Sequence, residues 1–150
     1  MFSYRHAIRT LLAAGFIAVG LSACGTMGSS NMVVTKSPMS ASQEVPPNSS
    51  GASGTIETSF DKSTSVLKWK LSYSGLTGPA AAAHFHGPAA MGANAGVVLP
   101  FPNPISDGME GQATLTPAQA ADFLAGKWYA NIHTATNKGG EIRGQVMPGM

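Results

Sequence analysis

Apolar and polar residues alternate over residues 66–74. Leu67, Trp69, Leu71 and Tyr73 share one face, while Lys68, Lys70 and Ser72 share the other. Successive side chains of a strand point to opposite faces, so this period of two marks a half-buried β-strand. Gly54, Ile56, Thr58 and Phe60 line one face of an earlier strand, and Asp61-Lys62-Ser63-Thr64 supplies a turn that joins the two as a hairpin. Residues 81–86 are a third strand candidate, and 96–99 and 108–114 are weaker ones. Residues 128–133 and 141–147 form a closing pair, linked by a loop that holds Asn137, Gly139 and Gly140.

One segment carries helical signals instead. Thr116 is placed as an N-cap, Pro117 as the first helical residue, and Gln119 three residues after the cap. The apolar run continues through Phe123 and Leu124, and Gly126 is a natural stop. Many short strands with turn residues between them predict a mainly β fold, a small antiparallel Greek-key β-sandwich or barrel with one short helix. Composition agrees. Only 11% of residues are charged, too few for a disordered chain, and 18 Gly and 10 Pro are too many for a helical bundle.

The first residues read as an export leader. Arg5, His6 and Arg9 form a positive start, and residues 11–19 are apolar but too short for a permanent membrane span. Leu21-Ser22-Ala23-Cys24 follows and looks like a lipobox. Small residues before the cut suit a tight peptidase pocket, and the thiol of Cys24 accepts a diacylglyceryl group. Cys24 is the chain's one cysteine, so its use as an anchor leaves none for a disulfide. Three acyl chains, at about 0.8 kcal/mol per buried CH₂, would hold the protein stably on a membrane. The expected layout is a signal peptide over 1–23, a flexible Ser/Gly/Thr-rich tether over 24–36 and one domain over 37–148. The expected location is the cell envelope, lipid-anchored. In a Gram-negative cell it is the outer membrane, because Gly25 rather than Asp follows the Cys.

Charge narrows the partners. Arg5 and Arg9 carry the whole formal charge of +2, and beyond Cys24 the basic residues are balanced by 7 acidic ones. The mature chain has no net field for nucleic acid, and its membrane contact is expected through the lipid. Any other partner would be a protein or a matrix component that the sequence does not name.

Four segments resemble the CHRD (chordin) domain family. They are Ala41-Ser42-Gln43-Glu44-Val45-Pro46-Pro47, Ala83-His84-Phe85-His86-Gly87-Pro88-Ala89, Gly126-Lys127-Trp128-Tyr129-Ala130-Asn131-Ile132-His133-Thr134 and Gly139-Gly140-Glu141-Ile142-Arg143-Gly144-Gln145-Val146. Trp128 and Lys138 are small departures from the family pattern. The resemblance runs from about Ser37 to Met147. It implies a domain found in extracellular animal proteins and in many microbial secreted ones, and it implies little about activity.

The candidate chemistry lies in three histidines. His84 and His86 are two apart on a predicted strand, so they share a face about 6.5–7 Å apart at Cα. Phe85 points the other way, toward the core. Two imidazoles at that spacing can share a metal ion with metal–nitrogen bonds of about 2.0–2.1 Å. His133 completes a three-histidine set if its strand lies beside theirs. An all-imidazole site in an oxidising compartment suits copper ahead of zinc. Arg143, on the last strand, is a candidate for the surroundings of such a site, where it could orient an anion or a polar ligand. A His-x-His on a strand, a distant His and a late Gly-rich segment with Arg are also similar in layout to copper-zinc superoxide dismutases. The bridging His, the zinc-ligand set and the disulfide of those enzymes are missing, which excludes a complete two-metal dismutase and leaves a mononuclear copper site.

The same residues have structural uses. His84 and His86 can bond backbone groups before Gly87-Pro88, His133 can pin the Gly139-Gly140 loop, and Glu141 and Arg143 can form a surface ion pair. Asn131 and Asn137 can satisfy loop amides. Met91, Met109 and Met147 fit irregular core filling better than soft-metal ligation. No Gly-x-Ser-x-Gly elbow, phosphate loop or carboxylate pair is visible, so a non-catalytic role is expected ahead of an enzymatic one. Two functions stand side by side: a tethered copper- or zinc-binding protein, and a non-catalytic module for protein or matrix contact with structural histidines.

Overall fold

The computed structural model describes residues 31–149. In chain order the strands are β1 (Met32–Ser40), β2 (Ser53–Asp61), β3 (Val66–Ser74), β4 (Ala80–His86), β5 (Val97–Pro100), β6 (Met109–Thr114), β7 (Trp128–Thr134) and β8 (Ile142–Val146), with a helix α1 (Pro117–Leu124) between β6 and β7. All described pairings are antiparallel, in the order β5-β4-β7-β8-β1-β2-β3-β6. The expected mainly β fold with one short helix is present, as a single sheet curled on itself.

Local chemistry explains the elements. In β3, Leu67, Trp69 and Leu71 are buried while Lys68 and Lys70 are exposed. Its hairpin with β2 sets Ile56 opposite Leu71 and Phe60 opposite Leu67. At the turn, Asp61 Oδ1 accepts from the Ser63 amide at 2.8 Å and from its hydroxyl at 2.6 Å, a side-chain turn that Asp supports well. Helix α1 starts in the expected capping box: Thr116 Oγ1 accepts from the Gln119 amide, and Gln119 Oε1 accepts from the Thr116 amide. Past its end Gly126 takes a left-handed φ of 69°.

The core fills the space inside the curl. Trp69 on β3 meets Phe85 on β4 edge to face at 5.6 Å and stacks on Phe101 at 5.1 Å. Phe123 of α1 packs against Phe60 and Trp128, which closes one end. These rings join strands from opposite parts of the sheet, so apolar burial stabilises the curl. Strands β8 and β1 meet at Ser40 and Arg143. Gly144 makes that approach possible, since a Cβ there would lie 2.6 Å from Pro38 O and 2.8 Å from Met39 Cγ.

Strand β1 changes one expectation. The signal peptide, Cys24 and residues 24–30 lie outside the described residues. Residues 32–36, assigned above to the tether, are paired strand: Met32 lies opposite Asp61 and Lys36 opposite Glu57. The strand escaped the hydrophobic pattern because both of its faces mix polar and apolar residues, Val33 and Met39 sharing the inner face with two hydroxyl side chains. Thr35 and Ser37 face inward, whereas Val34 is 72% exposed. Thr35 is matched inside by Thr58, with the two hydroxyls 2.7 Å apart.

Strands β7 and β8 are covered on both faces. Trp128, Ala130, Ile132, Ile142 and Val146 enter the core. Tyr129, Asn131, Arg143 and Gln145 face the other way and are also buried. Residues 87–96 and 41–50 lie over that polar face: Gln145 donates to Ala89 O, Asn94 to Val45 O, and Asn48 to the carbonyls of Gly140 and Glu141. The histidines stand at the margin of this second, polar layer.

Candidate metal centre

Strand register assembles the three histidines. β4 pairs with β7 so that Ala82 lies opposite His133, His84 opposite Asn131 and His86 opposite Tyr129. The side chains of His84, His86 and His133 therefore share the outer face, while Phe85 is fully buried in the core. Their ring centroids lie 4.9 Å (His84–His133), 5.5 Å (His84–His86) and 6.2 Å (His86–His133) apart. One nitrogen from each can be chosen so that all three lie within 4.8 Å of one another.

The hydrogen bonds select ring nitrogens. His133 Nδ1 lies 2.9 Å from Lys138 O and His86 Nδ1 lies 3.0 Å from Ala95 O. A carbonyl only accepts, so both Nδ1 atoms carry a proton and both Nε2 atoms are left for other contacts. His133 Nε2 lies 3.1 Å from His84 Nδ1, which donates to it. His86 Nε2 faces Asn131 Oδ1 at 3.0 Å. A neutral imidazole donates at one nitrogen only, so the Nε2 lone pair of His86 is matched when the Asn131 amide turns its NH₂ toward it. A ring nitrogen that donates to a backbone carbonyl is the usual outer support of a metal-ligating histidine.

The electrostatics favour neutral rings. Burial pushes the pKa of His84 down, and the neighbouring His133 and His86 push it further. Burial also lowers His133, against the opposing bond to Lys138 O, with His86 adding to the fall. Both imidazoles are thus uncharged at neutral pH, the form that binds metal.

A three-nitrogen site fits this geometry with modest movement. Metal–nitrogen bonds of about 2.1 Å in a tetrahedron put ligand nitrogens about 3.4 Å apart. His84 Nδ1 and His133 Nε2 are 3.1 Å apart. A metal would replace the hydrogen bond between them, with the His84 proton moving to its Nε2, and one nitrogen from each ring lies within 4.8 Å of the other two.

Arg143 sits next to this site by way of Tyr129. Its guanidinium lies 3.4 Å from the Tyr129 ring centroid, and the Tyr129 ring stacks on His86 at 4.8 Å with the planes 3° apart. Its other contacts are Asn94 Oδ1 at 3.0 Å and Ala93 O at 2.7 Å. At 1% exposure it is enclosed, and the polar groups it orients here are atoms of the 93–94 loop.

The expected surface ion pair of Glu141 and Arg143 is corrected: both are buried, and their polar bonds go elsewhere. Glu141 accepts from Ser50 Oγ, the Thr77 amide and hydroxyl, and Thr134 Oγ1 at 2.6–2.7 Å. Burial alone would raise its pKa, but these bonds outweigh it and hold the carboxyl at about 2. Glu44 was not singled out from the sequence. It is buried, and desolvation raises its pKa to about 7 against the opposing pull of Arg143. Asn131, expected to satisfy loop amides, instead meets His86 Nε2, and Tyr129 was given no role from the sequence. Their signal was period two, since they alternate with His133's neighbours along β7 on the histidine face.

The CHRD domain family model matches residues 35–146. The chain belongs to the CHRD domain family. No curated protein and no solved structure matches it. The four CHRD-like segments converge in space: they supply Glu44, His84 and His86, Tyr129, Asn131 and His133, and Glu141 and Arg143 to the polar layer. The CHRD domain also carries a groove of about 590 Å³ on β1, β2, β3 and β6, lined by Val34, Glu57, Lys68, Lys70 and Glu110 among others. Its charges are mixed, and it is lined by none of the three histidines. Among the described residues, no helix is long and apolar enough to cross a membrane.

Proposed function

We propose that this CHRD protein is an extracytoplasmic module, tethered by a lipid on Cys24, that holds one copper or zinc ion on His84, His86 and His133. The supporting observation is the convergence of three imidazoles, two of them with Nδ1 bonded to a backbone carbonyl and Nε2 turned away from it. The charge on the metal would be met by neutral nitrogen donors alone, a set suited to copper or zinc.

The test is metal content and Cu(II) and Zn(II) titration of the purified full chain. One equivalent is expected, lost in the His84→Ala, His86→Ala double variant. Metal uptake unchanged in that variant overturns the ligand assignment. A chain started at Ser37 is unsuitable, because it removes half of β1.

One observation favours a second reading, a non-catalytic contact module with structural histidines. Both ring nitrogens of His86 already face protein partners, and His133 ties down Lys138. On that reading the double variant loses stability in the absence of any metal, and the wild type takes up none.

A further inference from the structure

The backbone of residues 93–95 is fastened to the histidine face at each residue. Ala93 O accepts from Arg143 Nη2 at 2.7 Å. Asn94 Oδ1 accepts from Arg143 Nη1 at 3.0 Å, and Asn94 Nδ2 donates to Val45 O at 2.9 Å. The Ala95 amide donates to the Tyr129 hydroxyl at 3.2 Å, and that hydroxyl lies 3.3 Å from Ala95 O. Ala95 O also receives His86 Nδ1. The segment has no helix or strand of its own, and Ala93 and Asn94 are exposed. Apart from one turn bond, Ala93 N to Ala90 O at 3.1 Å, these side-chain bonds tie it to the sheet.

We infer that residues 93–95 form a latch, set by Tyr129 and Arg143, that fixes which ring nitrogen of His86 faces the metal. This rests on the metal reading above. Tyr129 lies between His86 on β4 and Arg143 on β8. It stacks on the His86 ring, carries the guanidinium on its own ring and grips Ala95 with its hydroxyl. The ring plane of His86 is set by the stack. Its tautomer is set by the Ala95 carbonyl at Nδ1 together with Asn131 at Nε2, whose amide presents its NH₂ there in the free protein and would give way when Nε2 takes the metal. With Nδ1–H held on that carbonyl, Nε2 is the only lone pair that a neutral His86 can offer. Tyr129 and Arg143 are therefore positioning residues, which act on the metal through His86.

The coupling runs both ways. A metal on Nε2 withdraws electron density from the ring and strengthens the Nδ1–H bond to Ala95 O, since charge-assisted hydrogen bonds are stronger. Metal loading thus tightens the latch, and a firm latch raises metal affinity by sparing the cost of orienting the ring.

Two variants test this in the full-length protein. Tyr129→Phe keeps the stack and removes the hydroxyl. Asn94→Ala, at an exposed position, removes the bonds to Arg143 and Val45 with little risk to folding. The first readout needs no metal: nitrogen-15 NMR of the His86 ring should show Nδ1–H in the wild type and a mixture of tautomers in both variants. The second is Cu(II) titration, where an affinity loss of about 10- to 100-fold with one equivalent still bound is expected. A His86 ring that is Nδ1–H in all three proteins, with affinities equal within threefold, overturns the latch while leaving the three-histidine site standing. Wild-type protein that takes up no copper at these histidines removes the metal reading and with it the latch's role in metal binding. The tautomer result then still decides whether residues 93–95 set the His86 ring.

Discussion

The carboxyl of Glu44 packs directly on Gly140, so closely that a Cβ on residue 140 would collide with it. Gly140 also has a φ of 136°, a backbone state that side chains disfavour. Glycine here therefore lets the β7–β8 loop close over Glu44 without backbone strain or displacement of the carboxyl. Gly140→Ala should cost about 2–4 kcal/mol from overpacking and backbone strain together. Gly139→Ala is the control, because a Cβ there meets nothing within 4 Å. Denaturant unfolding of the two variants checks this, and equal midpoints would contradict it.

Glu44 also makes stability depend on pH. Its pKa is about 7 in the folded protein, raised from 4.5 mainly by burial, with Arg143 as the charged group facing it. Between these values the folded state binds a proton that the unfolded state has lost. The contribution is full below pH 4.5 and disappears as pH rises through 7, an effect of up to about 3 kcal/mol. Glu44→Gln should be close to neutral at pH 5 and stabilising at pH 8. Melting temperatures across pH 5–9 measure the difference, and parallel curves for the two proteins would refute it.

Glu141 has the opposite sign. Its folded pKa of about 2 lies below the ordinary 4.5. It therefore contributes stability above pH 4.5 that is lost as pH falls toward 2. Glu141→Gln keeps the shape but loses the charge-assisted acceptors for Ser50, Thr77 and Thr134, at a cost of about 2–4 kcal/mol at pH 7. Acid unfolding should show a smaller loss between pH 5 and pH 2 in the variant than in the wild type. An unchanged acid limb would show that the carboxylate is not what joins these segments.

Individual strands were legible where apolar residues faced the core. Leu67, Trp69 and Leu71 announce β3, and Thr116, Pro117 and Gln119 announce α1 from local chemistry alone. Strand β1 was hidden because Thr35 and Ser37 point inward and Val34 outward. The spacing of His84 and His86 put both on one face, but His133 joined them only through the β4–β7 register. The surroundings of the site were less visible. Arg143 reaches Tyr129, and Glu44 reaches Gly140, only after the sheet has curled and residues 41–50 and 87–96 have folded over it. A pattern along one segment carries no record of what another segment lays on top.

The proposed anchor at Cys24 has its own test. Cys24→Ser removes the acyl acceptor, and the protein should move from the membrane fraction to the soluble extracytoplasmic fraction. Mass spectrometry of the wild type should find a lipid-modified Cys24 at the mature N-terminus. Membrane retention of the serine variant would contradict lipid anchoring.

The metal site is tested most directly by electron paramagnetic resonance of the full chain loaded with one equivalent of Cu(II). Hyperfine structure from three imidazole nitrogens is expected, reduced in each of His84→Ala, His86→Ala and His133→Ala. A spectrum that is the same in all three variants as in the wild type would contradict a copper site built on these histidines.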